Sequence, residues 1–280
     1  MVLVPINVLQ DKVSLYMDDG LYNQLTEYVK PSVQKEDFDF VMIVDGEEGS
    51  GKSVAAQQIA KVLDPNFEID TICFTADEFI KKVTSAKKNQ CIIFDEAFTG
   101  LSSRSSLSEI NHLVVSMMME MRQKNLFIII VMPSVFMLDK YAVFHRAKGL
   151  FHVYLDDGKR GYWRFFNRKA MKYLYITGKK FYEYEQATHT SFGRFQKIYT
   201  VDEIEYRKRK AAAFNKKKRS TKAEAYKQQR DILLYVLMKN LGKSQRELSR
   251  ILTNYDLTFS HVTLNEIFHQ VNKNYMPSEA

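Results

Sequence analysis

The sequence predicts an α/β protein with a mainly parallel, doubly wound sheet, followed by a small all-helical domain. Three observations support this fold class. Short apolar runs alternate with amphipathic helical patterns between residues 38 and 150, as in repeated strand–helix–strand units. A glycine-rich stretch directly follows the first of these apolar runs. Beyond residue 201 the chain becomes strongly basic and then reads as short helices.

The N-terminal 37 residues are an extension in which residues 21–30 can form a short amphipathic helix that Pro31 ends. The apolar run 38–44 is the first predicted strand of the sheet. It leads through the glycine-rich stretch into a predicted helix over residues 52–63, and Pro65 closes that helix.

The second strand of the predicted sheet covers residues 71–74. Thr75 and Glu78 have the spacing of a capping box, so a helix is expected over residues 76–87. The third strand, residues 91–95, is apolar until its last residue, which is acidic.

A second capping box, Ser106 with Glu109, predicts a helix whose apolar residues recur at helical spacing up to residue 121. Residues 126–132 then form a fourth buried strand. Two further apolar runs flank a polar turn within residues 151–166, which predicts a β-hairpin that extends the sheet.

The remaining chain divides by composition. Residues 167–200 are rich in Tyr and Lys and have no clear pattern, whereas residues 207–219 are basic and read as a helix or a linker. The predicted organisation is an N-terminal extension (1–37), an α/β domain with the hairpin (38–200), a basic segment (201–223) and a helical domain (224–280).

Composition restricts the classes of partner and compartment. The 280 residues are 45% hydrophobic and 26% charged, so a globular core forms readily, and the net charge of +8 favours nucleic acid or an anionic membrane surface. Cys73 and Cys91 lie in short apolar runs and are expected to be buried, reduced thiols. The sequence lacks a signal-peptide pattern and a membrane-spanning run, so we expect a cytoplasmic protein, in the host cytoplasm if its source is viral.

The stretch GEEGSGKS at residues 46–53 has the spacing of a loop that wraps nucleotide phosphates. Backbone amides of such a loop meet phosphate oxygens, and the following helix adds a favourable dipole. Lys52 is expected to reach the β- and γ-phosphates, and Ser53 to help hold Mg²⁺. The predicted cofactors are ATP and Mg²⁺, with the nucleotide bound by Gly46, Gly49, Ser50, Gly51, Lys52 and Ser53.

A pair of acidic residues ends the third predicted strand. Asp95 is placed to hold the Mg²⁺ shell, and Glu96 to polarise a water molecule for attack on the γ-phosphate. The alternative is that Glu96 is an ordinary acidic residue at the end of a strand, without a catalytic role.

Together, the loop at 46–53 and the Asp95–Glu96 pair resemble the additional-strand, catalytic-glutamate division of P-loop ATPases. The stretch from Asp95 through residues 128–134 to Arg146 is similar to zonular-occludens-toxin-like and FtsK/HerA-like motor ATPases, which are common in viruses and plasmids. The resemblance implies another strand between the phosphate-loop strand and the Asp95 strand. It departs from the motors where Met132 replaces a polar sensor, with Ser134 the nearest polar group.

The resemblance also implies a homo-oligomeric ring in which an arginine of one subunit completes the neighbour's catalytic site. Arg146 and Arg104 are the candidates for this arginine, ahead of Arg122.

The C-terminal domain is a candidate DNA-binding module. Ser244 with Glu247 begins one helix, and a second helix follows after residue 260, as in a helix-turn-helix unit. A helical bundle for subunit contacts is the alternative. The predicted DNA contacts are Lys216, Lys217, Lys218 and Arg219 in the basic segment, and Ser260, His261 and Thr263 in the second helix.

These features favour an ATP-hydrolysing motor that translocates, packages, loads or segregates DNA. The alternatives are a DNA-binding regulator that uses ATP as a switch with slow hydrolysis, a nucleotide or small-molecule kinase, and a membrane-associated assembly ATPase. The adjacent Asp95 and Glu96 fit hydrolysis better than kinase chemistry, and the lack of a predicted membrane span argues against an anchored form.

Overall fold

A computed structural model describes residues 2–8, 11–95, 124–218, 222–242, 244–255 and 257–275. The chain separates into two compact units, Met1–Ala213 and Phe214–Ala280. The boundary between these units falls inside one helix, Glu203–Lys218.

The N-terminal extension contains a β-hairpin that the sequence does not predict. Strand β1 (Val2–Val8) pairs antiparallel with strand β2 (Asp11–Met17) as a separate two-stranded sheet. Helices α1 (Asp19–Asn23) and α2 (Lys30–Lys35) follow, joined by a π-helical segment, Gln24–Val29.

The prediction that a helix ends at Pro31 is wrong. Pro31 lies in the first turn of α2, so the helical path continues past this proline instead of ending there. The preceding π-helical segment, in which the Lys30 amide bonds the Leu25 carbonyl, carries the helical path into that turn.

Among the described residues, the main sheet of the first unit has seven strands. In chain order they are β3 (Phe40–Gly46), β4 (Ile72–Cys73), β5 (Cys91–Phe94), β6 (Phe127–Val131), β7 (Gly149–Asp156), β8 (Lys159–Asn167) and β9 (Ser191–Arg194). Their spatial order is β4-β5-β6-β3-β7-β8-β9. Strands β3 to β7 pair in parallel with one another. Strand β8 pairs antiparallel with both β7 and β9. The predicted mainly parallel α/β sheet with a hairpin extension is therefore confirmed.

Helices cover both faces of this sheet. They are α3 (Lys52–Leu63), α4 (Ala76–Ser85), α5 (Arg168–Gly178) and α6 (Glu203–Lys218). The buried residues of α3 pack with Met42 and Ile129 on one face, whereas those of α4 and α5 pack with Ile43 and Ile128 on the other. Strand residues alternate between the two cores because successive side chains of a strand point to opposite faces.

Several local predictions hold in this unit. Helix α3 has the predicted bounds, and Cys73 and Cys91 are buried free thiols. The box at α4 forms in part: Thr75 Oγ1 accepts the Glu78 amide at 3.3 Å, but the Glu78 carboxylate accepts the amide of Phe74 rather than that of Thr75. Residues 106–121, with the second predicted box, lie outside the described residues.

The second unit contains helices α7 (Lys222–Leu241), α8 (Gln245–Thr253) and α9 (His261–Tyr275). The capping box of Ser244 and Glu247 is confirmed, with both reciprocal hydrogen bonds present. A small apolar core joins the three helices: Leu234, Tyr235, Met238, Leu248, Leu264, Ile267 and Val271. Residues 254–260 separate α8 from α9, a longer connection than in the tightest helix-turn-helix units.

Within the described part of the chain, no helix combines the length and apolar character that a membrane span requires.

Candidate nucleotide-binding site

The glycine-rich loop at the carboxyl end of β3 has a backbone conformation that depends on glycine. Gly46, Gly49 and Gly51 have φ angles of 138°, 77° and 105°, a region that side-chain-bearing residues rarely adopt. A β-carbon at Gly46 would lie 1.8 Å from the carbonyl oxygen of Val153 on the adjacent strand β7. Glycine is therefore required at Gly46 for the loop to pass this strand.

Lys52 and Ser50 place polar groups on the same loop. The Lys52 ammonium donates to the carbonyl oxygens of Gly46, at 2.9 Å, and Glu47, at 2.6 Å, so its side chain curls over the loop. The Ser50 hydroxyl is buried and has no hydrogen-bond partner among the described residues. A buried hydroxyl of this kind is unusual in a native fold and marks a position where a ligand oxygen can bind.

The two predicted metal ligands meet although they lie 42 residues apart. Ser53 Oγ, in the first turn of α3, donates to Asp95 Oδ1 at 3.1 Å. Asp95 follows strand β5 and is 1% exposed, and its amide donates to the Cys73 carbonyl at 2.8 Å. The carboxylate is thus held in position from both its backbone and its side chain.

The strand order agrees with the arrangement that the resemblance implies. Strand β6 pairs with β3 on one side and with β5 on the other, so it separates the phosphate-loop strand from the strand that precedes Asp95. The carboxyl ends of these parallel strands share one edge of the sheet, which is where ligands bind in open α/β sheets.

Two residues of helix α6, Tyr206 and Lys210, also belong to this site, and the sequence analysis missed both. The Tyr206 hydroxyl donates to Asp95 Oδ2 at 2.5 Å. The Lys210 ammonium lies 3.3 Å from Ser53 Oγ and 3.6 Å from Asp95 Oδ2. Burial, reinforced by the Asp95 carboxylate, raises the pKa of Tyr206 well above its ordinary value, so this phenol remains a proton donor.

A third residue that the sequence analysis missed, Arg160, lies at the tip of the β7–β8 hairpin. Strand β7 continues beyond Val153, the partner of Gly46, and turns at Asp157 and Gly158. This turn brings Arg160 close to the loop. A β-carbon at Gly49 would lie 3.7 Å from the Arg160 guanidinium. The sequence showed the hairpin but not its position beside the loop.

A buried polar network supports the base of the loop. Asp45, the residue before Gly46, accepts hydrogen bonds from the Val135 amide at 2.7 Å and from the Tyr184 hydroxyl, and its other oxygen lies 2.8 Å from His152 Nδ1. The Tyr184 ring stacks on His152 at 3.7 Å. Burial and the Asp45 charge raise the pKa of Tyr184, which keeps its proton for this contact.

This network also places Ser134, the polar residue nearest to the predicted sensor position. Ser134 Oγ lies 2.9 Å from the Tyr184 hydroxyl, whereas Met132 is buried in the core. Ser134 is thus engaged in holding the ends of β3, β6 and β7 together.

The structure does not bring Arg146 to the phosphate loop. Arg146 is 13% exposed and pairs with Asp39, which precedes β3. This pair lies at the amino edge of the sheet, one strand length or about 20 Å from the loop. Its guanidinium is mostly buried and engaged with a carboxylate, which does not fit a finger that reaches into a neighbouring subunit.

Other predicted residues lie outside the described part of the chain. These are Glu96, Arg104, Arg122 and Arg219, together with the side chains of Lys216, Lys217 and Lys218 on the last turn of α6. In the second unit, Ser260 caps helix α9 by accepting the Thr263 amide at 3.1 Å, and Ser260, His261 and Thr263 are all exposed. The structure therefore presents these three residues at the exposed amino end of α9.

Comparison of the chain with models of known families and with curated proteins finds no match. The function of the protein is therefore inferred from the geometry of the site itself.

Proposed function

We propose that this protein is a Mg²⁺-dependent ATPase that handles DNA. The observation that carries the ATPase proposal is the meeting of the glycine loop with Ser53 and Asp95 at the carboxyl edge of the sheet. The loop and the start of α3 present backbone amides and a helix N-terminus to an anion, while a hydroxyl and a carboxylate stand beside them for a cation.

The residues present fit Mg²⁺ bound together with a nucleotide. A hydroxyl and one carboxylate are hard oxygen ligands, and Mg²⁺ in nucleotide sites takes few protein ligands because phosphates and water supply the others. When bound, Mg²⁺ would be held by Ser53 and Asp95 and would supply positive charge against the nucleotide phosphates.

The side chains have distinct roles in this proposal. Lys52 exchanges its bonds to the loop carbonyls for phosphate oxygens, and Arg160 adds positive charge from the hairpin on the other side of the loop. Glu96, which follows Asp95 directly, orients the attacking water. Arg104 remains the candidate for an arginine supplied by another subunit.

Glu96→Gln tests the hydrolytic step separately from binding. The substitution should stop ATP hydrolysis while nucleotide affinity stays within about threefold of the wild type, because the amide keeps the shape of the side chain but is not a base. Glu68→Gln is the matched control, since Glu68 is an exposed acid of the same unit. Normal turnover in Glu96→Gln would refute the role assigned to Glu96.

DNA is the partner that charge and the second unit favour. The chain carries a net charge of +8, with a basic run that ends helix α6 and an exposed, polar amino end of α9. Lysine and arginine clusters bind nucleic-acid phosphates without sequence preference, and a helix N-terminus adds directed amides. The resemblance to motor ATPases points to ATP-driven movement of DNA in a homo-oligomeric ring.

The DNA proposal is tested by removing charge at two places. Replacing Lys217 and Lys218 with Gln should weaken binding to duplex DNA and reduce the slope of log affinity against log salt by about 2, since each lost phosphate contact lowers it by about 0.9. Replacing Lys87 and Lys88, two exposed lysines of the first unit, is the charge-matched control. Equal effects of the two double variants would exclude a specific role for the basic end of α6.

A slow ATP-dependent switch is the second candidate. It is favoured by one observation: Tyr206 and Lys210 contact Asp95 and Ser53, the two residues that would hold the metal ion. DNA-stimulated turnover distinguishes the motor from this switch, for which DNA binding would follow nucleotide occupancy while hydrolysis stays slow.

A further inference from the structure

A lysine of helix α6 contacts both Ser53 and Asp95, the two residues proposed to hold a divalent cation. The Lys210 ammonium donates to Ser53 Oγ at 3.3 Å and lies 3.6 Å from Asp95 Oδ2. Ser53 Oγ in turn donates to Asp95 Oδ1 at 3.1 Å. One positive charge thus contacts both of the residues that Mg²⁺ requires.

Tyr206, one helical turn before Lys210, makes this arrangement more specific. Its hydroxyl donates to Asp95 Oδ2 at 2.5 Å and also lies 3.2 Å from the Lys210 ammonium. The i and i+4 positions of a helix share one face, so both side chains reach the site together. The Asp95 oxygen that faces α6 is therefore engaged by a phenol and an ammonium group.

The first half of α6 is fixed against the sheet domain by several independent contacts. Asp202 caps the helix by accepting the amides of Ile204 and Glu205. Gln58 of α3 holds the preceding segment by donating to the carbonyls of Gln196, at 2.7 Å, and Ile198, at 2.9 Å. Because these contacts fix the start of α6, the position of Lys210 at the site follows from the packing of the helix.

Mg²⁺ and the Lys210 ammonium cannot occupy the same contacts at once. Two cations that compete for one hydroxyl and one carboxylate exclude each other sterically and by like charge. A ligand shifts a conformational balance only through its different affinity for the two states, and this competition supplies such a difference.

We propose that Lys210 is a stand-in cation that organises Ser53 and Asp95 in the nucleotide-free state and leaves them when Mg²⁺ and nucleotide bind. This inference rests on the proposed nucleotide site and adds a regulation to it. Lys210 and Tyr206 are positioning residues: they act through Ser53 and Asp95 and not on the reacting atoms. Release of Lys210 would loosen the first half of α6, so nucleotide occupancy is reported by this helix.

The test compares Lys210→Met with Lys208→Met in the full chain. Methionine keeps the apolar stem of lysine, and Lys208 is an exposed lysine of the same helix. Affinity for a fluorescent, non-hydrolysable ATP analogue is titrated with Mg²⁺. The Mg²⁺ concentration for half-maximal binding should fall about three- to tenfold in Lys210→Met, the range expected for loss of one partly exposed competing charge. Lys208→Met should match the wild type.

Two readouts do not depend on turnover. In the absence of nucleotide, Mg²⁺ alone should raise the melting temperature of Lys210→Met more than that of the wild type, because Asp95 has lost its cation. In the wild type, hydrogen exchange of the amides of residues 206–213 should increase when Mg²⁺ and the analogue are added together. Tyr206→Phe, which removes one hydroxyl and keeps the ring, should raise exchange there before any ligand is added.

The outcomes separate this inference from the proposed function. A wild-type protein that binds no analogue at any Mg²⁺ concentration would overturn the nucleotide site itself. Normal binding with an unchanged Mg²⁺ requirement in Lys210→Met would overturn only the stand-in role. Equal loss of affinity with and without Mg²⁺ in Lys210→Met would also overturn it, by making Lys210 a direct phosphate ligand.

Discussion

Replacing Gly46 with alanine tests whether the phosphate loop depends on close contact between strands β3 and β7. The added β-carbon would lie 1.8 Å from the Val153 carbonyl oxygen, whereas non-bonded contacts of carbon need more than about 3 Å. The two strands would have to separate by more than about 1 Å at their last paired residues, or the loop would have to leave its path. The φ of 138° adds strain for any side chain. We expect a loss of about 4 kcal/mol in the free energy of unfolding, at the severe end for one substitution.

Gly158→Ala provides the matched control for this substitution. Gly158 also has a positive φ, 73°, but a β-carbon there meets no atom within 4 Å. Only the backbone cost of about 1 kcal/mol is expected. Urea unfolding is followed by the fluorescence of Trp163, the single tryptophan, which is fully buried on β8 beside β7. Equal losses in the two variants, or a loss below about 1 kcal/mol for Gly46→Ala, would refute the argument from the close contact.

Two further predictions concern the core and the amino edge of the sheet. Burial raises the pKa of the Cys73 thiol to about 12 and that of Cys91 well above its usual value. At about pH 8 only about one Cys73 side chain in 10,000 is therefore a thiolate. Iodoacetamide should modify both cysteines only in denaturant, as read by mass spectrometry. Rapid labelling of the native protein would contradict the burial of these thiols. Arg146→Met should lower the free energy of urea unfolding by about 3 kcal/mol, because it leaves Asp39 buried without this cation. Arg164→Met, which removes a more exposed ion pair, should lower it by less than about 1 kcal/mol. Similar losses in the two variants would contradict this placement of the charges.

The central part of the fold follows from local sequence patterns. Strand β3, the glycine loop and helix α3 are encoded within residues 38–65 by an apolar run, by glycines and by a helical pattern that Pro65 closes. Each of these signals acts over a few residues, so tertiary contacts do not need to be known. The hairpin of β7 and β8 is similar, since Asp157 and Gly158 suit the two positive φ values of its turn.

The N-terminal hairpin was missed for an equally local reason. Pro5 lies within strand β1, and a proline normally argues against a strand because it cannot donate a ladder hydrogen bond. Within the part of the chain that the structure describes, strand β1 pairs only with β2, and its other edge tolerates a missing donor. The sequence alone does not show which strands have open edges.

The contribution of helix α6 to the site depends on long-range contacts. Lys210 belongs to the run Arg207–Lys210, which the sequence predicts as part of a basic helix or a linker. The structure divides this run: Arg209 pairs with Asp70 at 2.7 Å and Lys210 faces Asp95, while Lys208 is exposed. Neighbours in a charged run point in different directions around a helix, and only the packing of the helix decides which of them meets the site.

The proposed ATPase site is tested by steady-state release of phosphate from ATP by the purified full chain, with and without duplex or single-stranded DNA. We expect Mg²⁺-dependent turnover that DNA stimulates and that Lys52→Ala lowers by at least about 100-fold, since Lys52 is the loop cation for the phosphates. Lys81→Ala, which alters an exposed lysine of helix α4, should leave turnover unchanged. Absence of turnover in the wild type under all of these conditions, or equal turnover in Lys52→Ala and Lys81→Ala, would contradict the assignment of an ATPase site to this loop.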